Sequence, residues 1–142
     1  MTAPATTFLQ GLKTHLAGIT VANGYAVTVA SVQTGRSALA GNTAGPFPAI
    51  TLTPISETPI ETLPDQFFQR WTRTILLEAM LVETANWDEE LDTLWDAIRM
   101  RLMTWSGMIT EWGPVEFSPP DDGGGLSLLR CPLVFMYSLN IH

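Results

Sequence analysis

The chain has 142 residues, with 14 acidic and 7 basic side chains and a formal net charge of −7. Only 15% of its residues are charged and 46% are hydrophobic, where an ordinary globular chain carries roughly 25% charge. This excludes disorder, which needs low hydrophobicity and high charge, and no apolar run approaches the ~20 residues of a membrane-spanning helix.

Phe8 to Ile19 is predicted as the first helix, because Phe8, Leu9, Leu12, Leu16 and Ile19 recur at three- and four-residue steps. Thr6 or Thr7 can cap its start, and Gly24 suits the exit. Tyr25 to Val32 alternates Tyr25, Val27 and Val29 against Ala26, Thr28 and Ala30, the pattern of a strand. Gln33 to Pro48 holds three glycines and two prolines without periodicity. It is expected as a long loop that orders on assembly.

Ala49 to Pro54 is predicted as a short strand closed by Pro54, and Ile55 to Phe68 as irregular. Trp71 to Glu83 carries the strongest strand signal. Ile75, Leu77, Ala79 and Leu81 fall on one face, and Leu76, Met80 and Val82 on the other with Thr72, Thr74 and Glu78. Two largely apolar faces predict a central strand, covered by helices on one side and a partner on the other.

Asn86 is positioned to cap a second helix, with Glu89 completing a capping box. Its apolar stripe is Trp87, Leu91, Leu94, Trp95, Ile98 and Leu102, and it stops near Trp105 to Gly107. Glu111 to Ser118 and Ser127 to Ile141 are predicted as strands pairing across the Asp121–Gly125 turn, with Pro132 marking an edge or a bulge. In the last strand Leu129, Cys131, Leu133, Phe135 and Tyr137 share a face. The expected fold class is therefore α+β: one domain over residues 1–142, with an antiparallel-rich β-sheet and two α-helices packed on one face.

No constellation of reactive groups stands out. Asp88, Glu89, Glu90 and Asp92 decorate a helix N-terminus, where the helix dipole favours them, and they point in different directions. Asp121-Asp122-Gly123 lacks the alternating ligands and closing Glu of a calcium loop. His15 has no nucleophile and acid arranged around it in sequence, and is expected to be solvated or at an interface. The lone Cys131 excludes an internal disulfide and is expected as a small buried hydrophobe. Gly35 to Gly41 lacks the Lys-Ser/Thr of a phosphate loop. Lys13, Arg36, Arg70, Arg73, Arg99, Arg101 and Arg130 are scattered rather than forming the basic stripe of a nucleic-acid reader. Trp71, Trp87, Trp95, Trp105 and Trp112 suggest core and interface packing. Met1 to Thr7 lacks the basic start and following apolar core of a secretory leader. Catalytic, cofactor-binding and metal residues are expected to be absent, and the low charge points to surface reserved for neighbours.

Several pieces occur together in one order. They are Phe47-Pro48-Ala49-Ile50-Thr51-Leu52, the acidic linker Glu57 to Asp65, the long strand from Trp71, Glu90-Leu91-Asp92 on the second helix, and Asp121-Asp122 with Gly124-Gly125-Leu126 before a closing strand. With the N-terminal helix, this layout resembles the tail terminator proteins of long-tailed phages, the lambda-like minor tail protein U type. The chain departs from them in its longer Gln33 to Gly45 loop and its more apolar character. The resemblance implies a structural virion protein rather than an enzyme, assembled in the host cytoplasm and placed at the tail–neck junction. Its copies would form a hexameric ring that caps the tail tube, stops its polymerisation and offers the head-joining surface. The implied partners are further copies of the chain, the tail tube protein and a head-completion or stopper protein. Genomic DNA would pass through the lumen without sequence-specific binding, which an acidic wall suits. On this reading the loops Gln33 to Gly45, Glu57 to Phe68 and Pro119 to Gly125 make the contacts. Arg36, Glu61, Asp65, Phe67, Phe68, Asp121 and Asp122 are the candidate interface residues. The alternatives are another neck, tail-completion or head–tail joining subunit, and a small-ligand-binding α+β domain.

Overall fold

Two long, largely apolar runs find each other and set the architecture. In the computed structural model, which describes residues 4–35, 46–61, 68–82, 84–105, 108–120 and 125–140, β3 (Phe68–Val82) pairs antiparallel with β6 (Leu126–Asn140). The ladder runs without a register shift from Phe68↔Asn140 to Val82↔Leu126. On the other side of β3 lies β2 (Ala49–Glu61), also antiparallel, and β1 (Ser31–Thr34) adds to β2 in parallel. β4 (Met108–Trp112) and β5 (Glu116–Ser118) both pair with β6. The sheet has the order β1-β2-β3-β6-β4, with β5 beside β4 along β6. β3 is therefore central, as its two apolar faces predict.

The helices α1 (Pro4–Leu16) and α2 (Trp87–Met103) cover one face. Leu12, Leu16, Leu91, Leu94, Trp95, Ile98 and Leu102 meet Ile50, Leu52, Ile75, Leu77, Ala79, Leu129, Cys131, Leu133 and Phe135 in one buried cluster. These are the faces expected from the 3.6- and 2-residue periods. The α+β class, with both helices on one face of an antiparallel-rich sheet, is what the structure shows.

Several local expectations are corrected. α1 starts at Pro4, ahead of Phe8, and ends at Leu16; Ile19 is still buried, but in the turn that follows. Tyr25 to Ala30 forms no ladder. Its N–H groups instead make single bonds, Val29 to the Ile19 carbonyl at 2.9 Å and Ala30 to that of Pro48 at 2.8 Å. The alternation still places Tyr25, Val27 and Val29 on the core. A 3₁₀ turn at Val21–Asn23 precedes it, capped by Thr20, and leaves through Gly24 at φ 94°. Gln33 and Thr34 belong to β1 rather than to a loop.

β2 does not stop at Pro54 but continues to Glu61, through two register shifts at Pro54/Ser56 and Pro59/Glu61. β1 flanks β2 only over Ala49–Leu52. Past that point the strand has a neighbour on one side only among the described residues, so a missing proline N–H breaks no ladder there. Asn86 caps α2 without a side-chain bond, so the expected capping box is absent. Thr84 Oγ1 instead donates to Glu90 at 2.9 Å.

The predicted strand Glu111 to Ser118 is two strands, split at Gly113. The split lies against Pro132, which is neither at an edge nor in a register shift of the β3–β6 ladder. Gly113 N donates to the Pro132 carbonyl at 2.8 Å. A Cβ at Gly113 would lie 2.4 Å from Pro132 Cγ, so only glycine lets the chain pass the ring. By contrast a Cβ at Gly11, inside α1, would meet Trp105 at 3.9 Å, an ordinary contact. Gly113→Ala is therefore expected to lower stability by about 1–3 kcal/mol. Gly11→Ala should raise it by about 0.5–1 kcal/mol; urea denaturation of the two variants checks the opposite signs.

Candidate interaction surface

The long strands separate the expected contact segments instead of gathering them. Glu61 ends β2 opposite Arg70, and Phe68 opens β3 opposite Asn140. Both backbone positions lie at one end of the sheet. Ser118, opposite Leu128, leads to the other end, where the chain returns through Gly125 at φ 91°. From Phe68 to Met80 the central strand covers roughly 40 Å, at about 3.4 Å per residue. Arg36, Asp65, Phe67, Asp121 and Asp122 lie outside the described residues.

The helix-free face of the sheet carries rows read across the strands. One row is Gln33, Thr51, Glu78, Arg130 and Glu116, in register on five strands. Glu78 is fully buried at its centre. Arg130 Nε lies 3.4 Å from its carboxylate, and Arg130 Nη1 lies 3.9 Å from Glu116. A carboxylate out of water needs such a cation close by. The adjacent rows hold Leu76 and Pro132, then Thr74 and Val134, then Thr72 and Met136, all half-buried.

Towards the end marked by Phe68, the helix-side face has its own polar tie. Arg73 Nε bonds Glu57 at 2.9 Å, and the Tyr137 hydroxyl donates to the same carboxylate. Burial and the neighbouring Glu57 push the Tyr137 phenol up to about 12. Phe8 stacks near Tyr137, Phe135 and Trp105, joining α1 to this region.

The remaining side chains singled out in the sequence have structural partners. His15, expected to be solvated or at an interface, is half-buried: its Nε2 bonds the Arg101 carbonyl at 2.8 Å, while Arg101 Nε donates to the His15 carbonyl at 2.7 Å. This ties the ends of the two helices. Cys131 is buried as expected, and burial pushes its thiol up to about 11. Asp88, Glu89, Glu90 and Asp92 are exposed. Among the described residues no three His, Cys, Asp or Glu side chains converge as metal ligands. A groove of about 710 Å³ beside the helix tie is lined by Thr7, Gln10, Thr14, His15, Arg101 and Trp105. No described helix is long and apolar enough to cross a membrane.

Sequence reasoning missed the exposed apolar side chains at the sheet margins. Ile55 is 57% exposed and Ile60 48% on β2, against Trp112 at 39% on β4 and Phe117 at 46% on β5. The predicted boundaries hid them, because Ile55 and Ile60 fell in a stretch expected to be irregular. Neither a family model nor a curated protein sequence matches the chain.

Arg130→Met removes the cation beside the buried Glu78 and is expected to cost about 3–5 kcal/mol; Glu78→Gln/Arg130→Met recovers most of it. Chemical denaturation of the three proteins reads the difference. The raised Cys131 and Tyr137 values contribute stability that is complete below their ordinary values of 9.0 and 10.0. That stability is lost as pH rises through about 11 and about 12. Melting curves should fall between those limits for the parent chain and fall less steeply for Cys131→Ala/Tyr137→Phe.

Proposed function

We infer that the chain is a structural subunit of a long-tailed phage virion: a tail terminator whose ring caps the tail tube and presents the head-joining surface. The layout that resembles this family spans nearly the whole sequence. The observation that carries the reading is that Glu61 and Phe68 lie at one end of the sheet and Ser118 and Gly125 at the other, roughly 40 Å apart along the central strand. A subunit lying between a tube and a stopper needs two such ends, one for each partner. Exposed apolar side chains at both lateral margins of the sheet leave the flanks for neighbouring copies. A closed ring requires this arrangement, since each copy meets the next through two different patches.

The mechanism is surface complementarity. The ring covers the growing end of the tube, so that no further tube subunit finds its docking site. The acidic balance of −7 keeps the lumen from holding DNA phosphates as the genome passes. A head–tail joining subunit would share these features and differ in the tube arm of the test. A small-ligand-binding domain would use a groove such as the one beside His15 and Arg101, whose polar walls are already bonded to one another.

Adding the purified protein to polymerising tail tube protein from the same virus tests the reading. The expected result is tubes that stop growing, with a ring at one end by negative-stain electron microscopy. Tubes that elongate at an unchanged rate, with no ring bound, contradict it.

A further inference from the structure

We propose that the ring is closed laterally by the outer edge of β4 in one copy docking on the part of β2 that has no second neighbour among the described residues in the next, with Trp112 packed on Ile55. This rests on the ring reading above and specifies which surfaces close the ring. The geometry comes from the ladder registers. Trp112 pairs with Leu133, Leu133 with Ile75 and Ile75 with Pro54, so Trp112 and Pro54 lie in one row at opposite margins of the sheet. Met108 reaches Thr58 in the same way, through Met136 and Thr72. The five residues of β4 thus stand level with Pro54–Thr58, the stretch of β2 that β1 leaves uncovered. Setting β4 of one copy beside β2 of the next needs no displacement along the strands.

Strand direction agrees. β2, β3, β6 and β4 alternate in sense, so β4 meets the next β2 antiparallel and the alternation continues around the ring. The chemistry of the edge decides what kind of junction it is. Pro54 and Pro59 offer no N–H, and two register shifts bend the strand. These features block open-ended strand addition. The junction is therefore carried by side chains, and the apolar groups are in place: Ile55, the residue at the first shift, is 57% exposed, and Trp112 keeps 39% exposure with one side against Trp95. Tryptophan in such a position is a frequent anchor of interfaces. Glu57 on the receiving edge is already held by Arg73 and Tyr137, so Glu111 on the incoming strand does not face a bare carboxylate.

The test uses Ile55→Cys/Trp112→Cys and a short bis-maleimide cross-linker on the assembled protein. The buried Cys131 of the parent chain gives the background. The expected result is a ladder of covalent species ending at the ring, whereas either single-cysteine variant alone gives no ladder. Ile55→Cys/Glu111→Cys is the second pair, since both of its positions are exposed and neither holds the core. Ile55→Glu is expected to weaken assembly at least tenfold, and Met103→Glu, on the exposed side of α2, to leave it unchanged. Rings seen by electron microscopy without either ladder, and unaffected by Ile55→Glu, overturn this interface and leave the ring reading standing. Absence of both rings and ladders overturns both.

Discussion

The uninterrupted pairing of β3 with β6 is the constraint on which the rest depends. Fifteen residues of each strand are in register, well beyond the five or six of an ordinary strand. Because the side-chain period is two, this single ladder decides which residues of both strands face the helices. A slip of one residue would turn one strand over relative to the other, for example sending Leu133 and Phe135 to the outer face and bringing Arg130 under the helices, away from Glu78. The row Glu78–Arg130–Glu116 therefore acts as a register mark, since the ion pair forms only in this alignment. The same length carries the two ends of the sheet so far apart that they can serve different neighbours.

Around that ladder, each further element solves a local problem. α2 covers the sheet with Leu91, Leu94, Ile98 and Leu102. α1 is fastened to it by the His15–Arg101 exchange of bonds. The Glu57–Arg73–Tyr137 tie joins β2, β3 and β6 near one end of the sheet, and Phe8 packs α1 against Tyr137 there. Gly113 lets the chain step past Pro132, so that β4 and β5 can share one strand. The resulting domain leaves Ile55 and Ile60 exposed on β2, Trp112 and Phe117 exposed on β4 and β5, and Met100 and Met103 exposed on α2.

Much of this was legible in the residues. The long central strand, the stripe of α2 and the facing of Cys131, Leu133 and Phe135 follow from hydrophobic period alone. Pro54 misled because a proline rule holds for strands with neighbours on both sides, and nothing local reveals that β1 is only four residues long. Tyr25 to Ala30 shows the converse: alternation fixes which side chains go inward but not whether a partner strand exists. The break at Gly113 depends on Pro132, nineteen positions away in sequence, and becomes visible only once the two segments lie side by side. Of the candidate contacts, Glu61 and Phe68 fall in β2 and β3 rather than in the irregular segment expected for them. The margins carrying Ile55 and Trp112 emerge only from the strand order.

The central claim is that this small, charge-poor chain is a ring-forming subunit and not a self-sufficient monomer. Native mass spectrometry of the purified protein across a concentration series tests it most directly. The account predicts one discrete oligomer of six copies, with no open-ended series of larger species. A protein that stays monomeric at every concentration, with or without tail tube protein present, would contradict it.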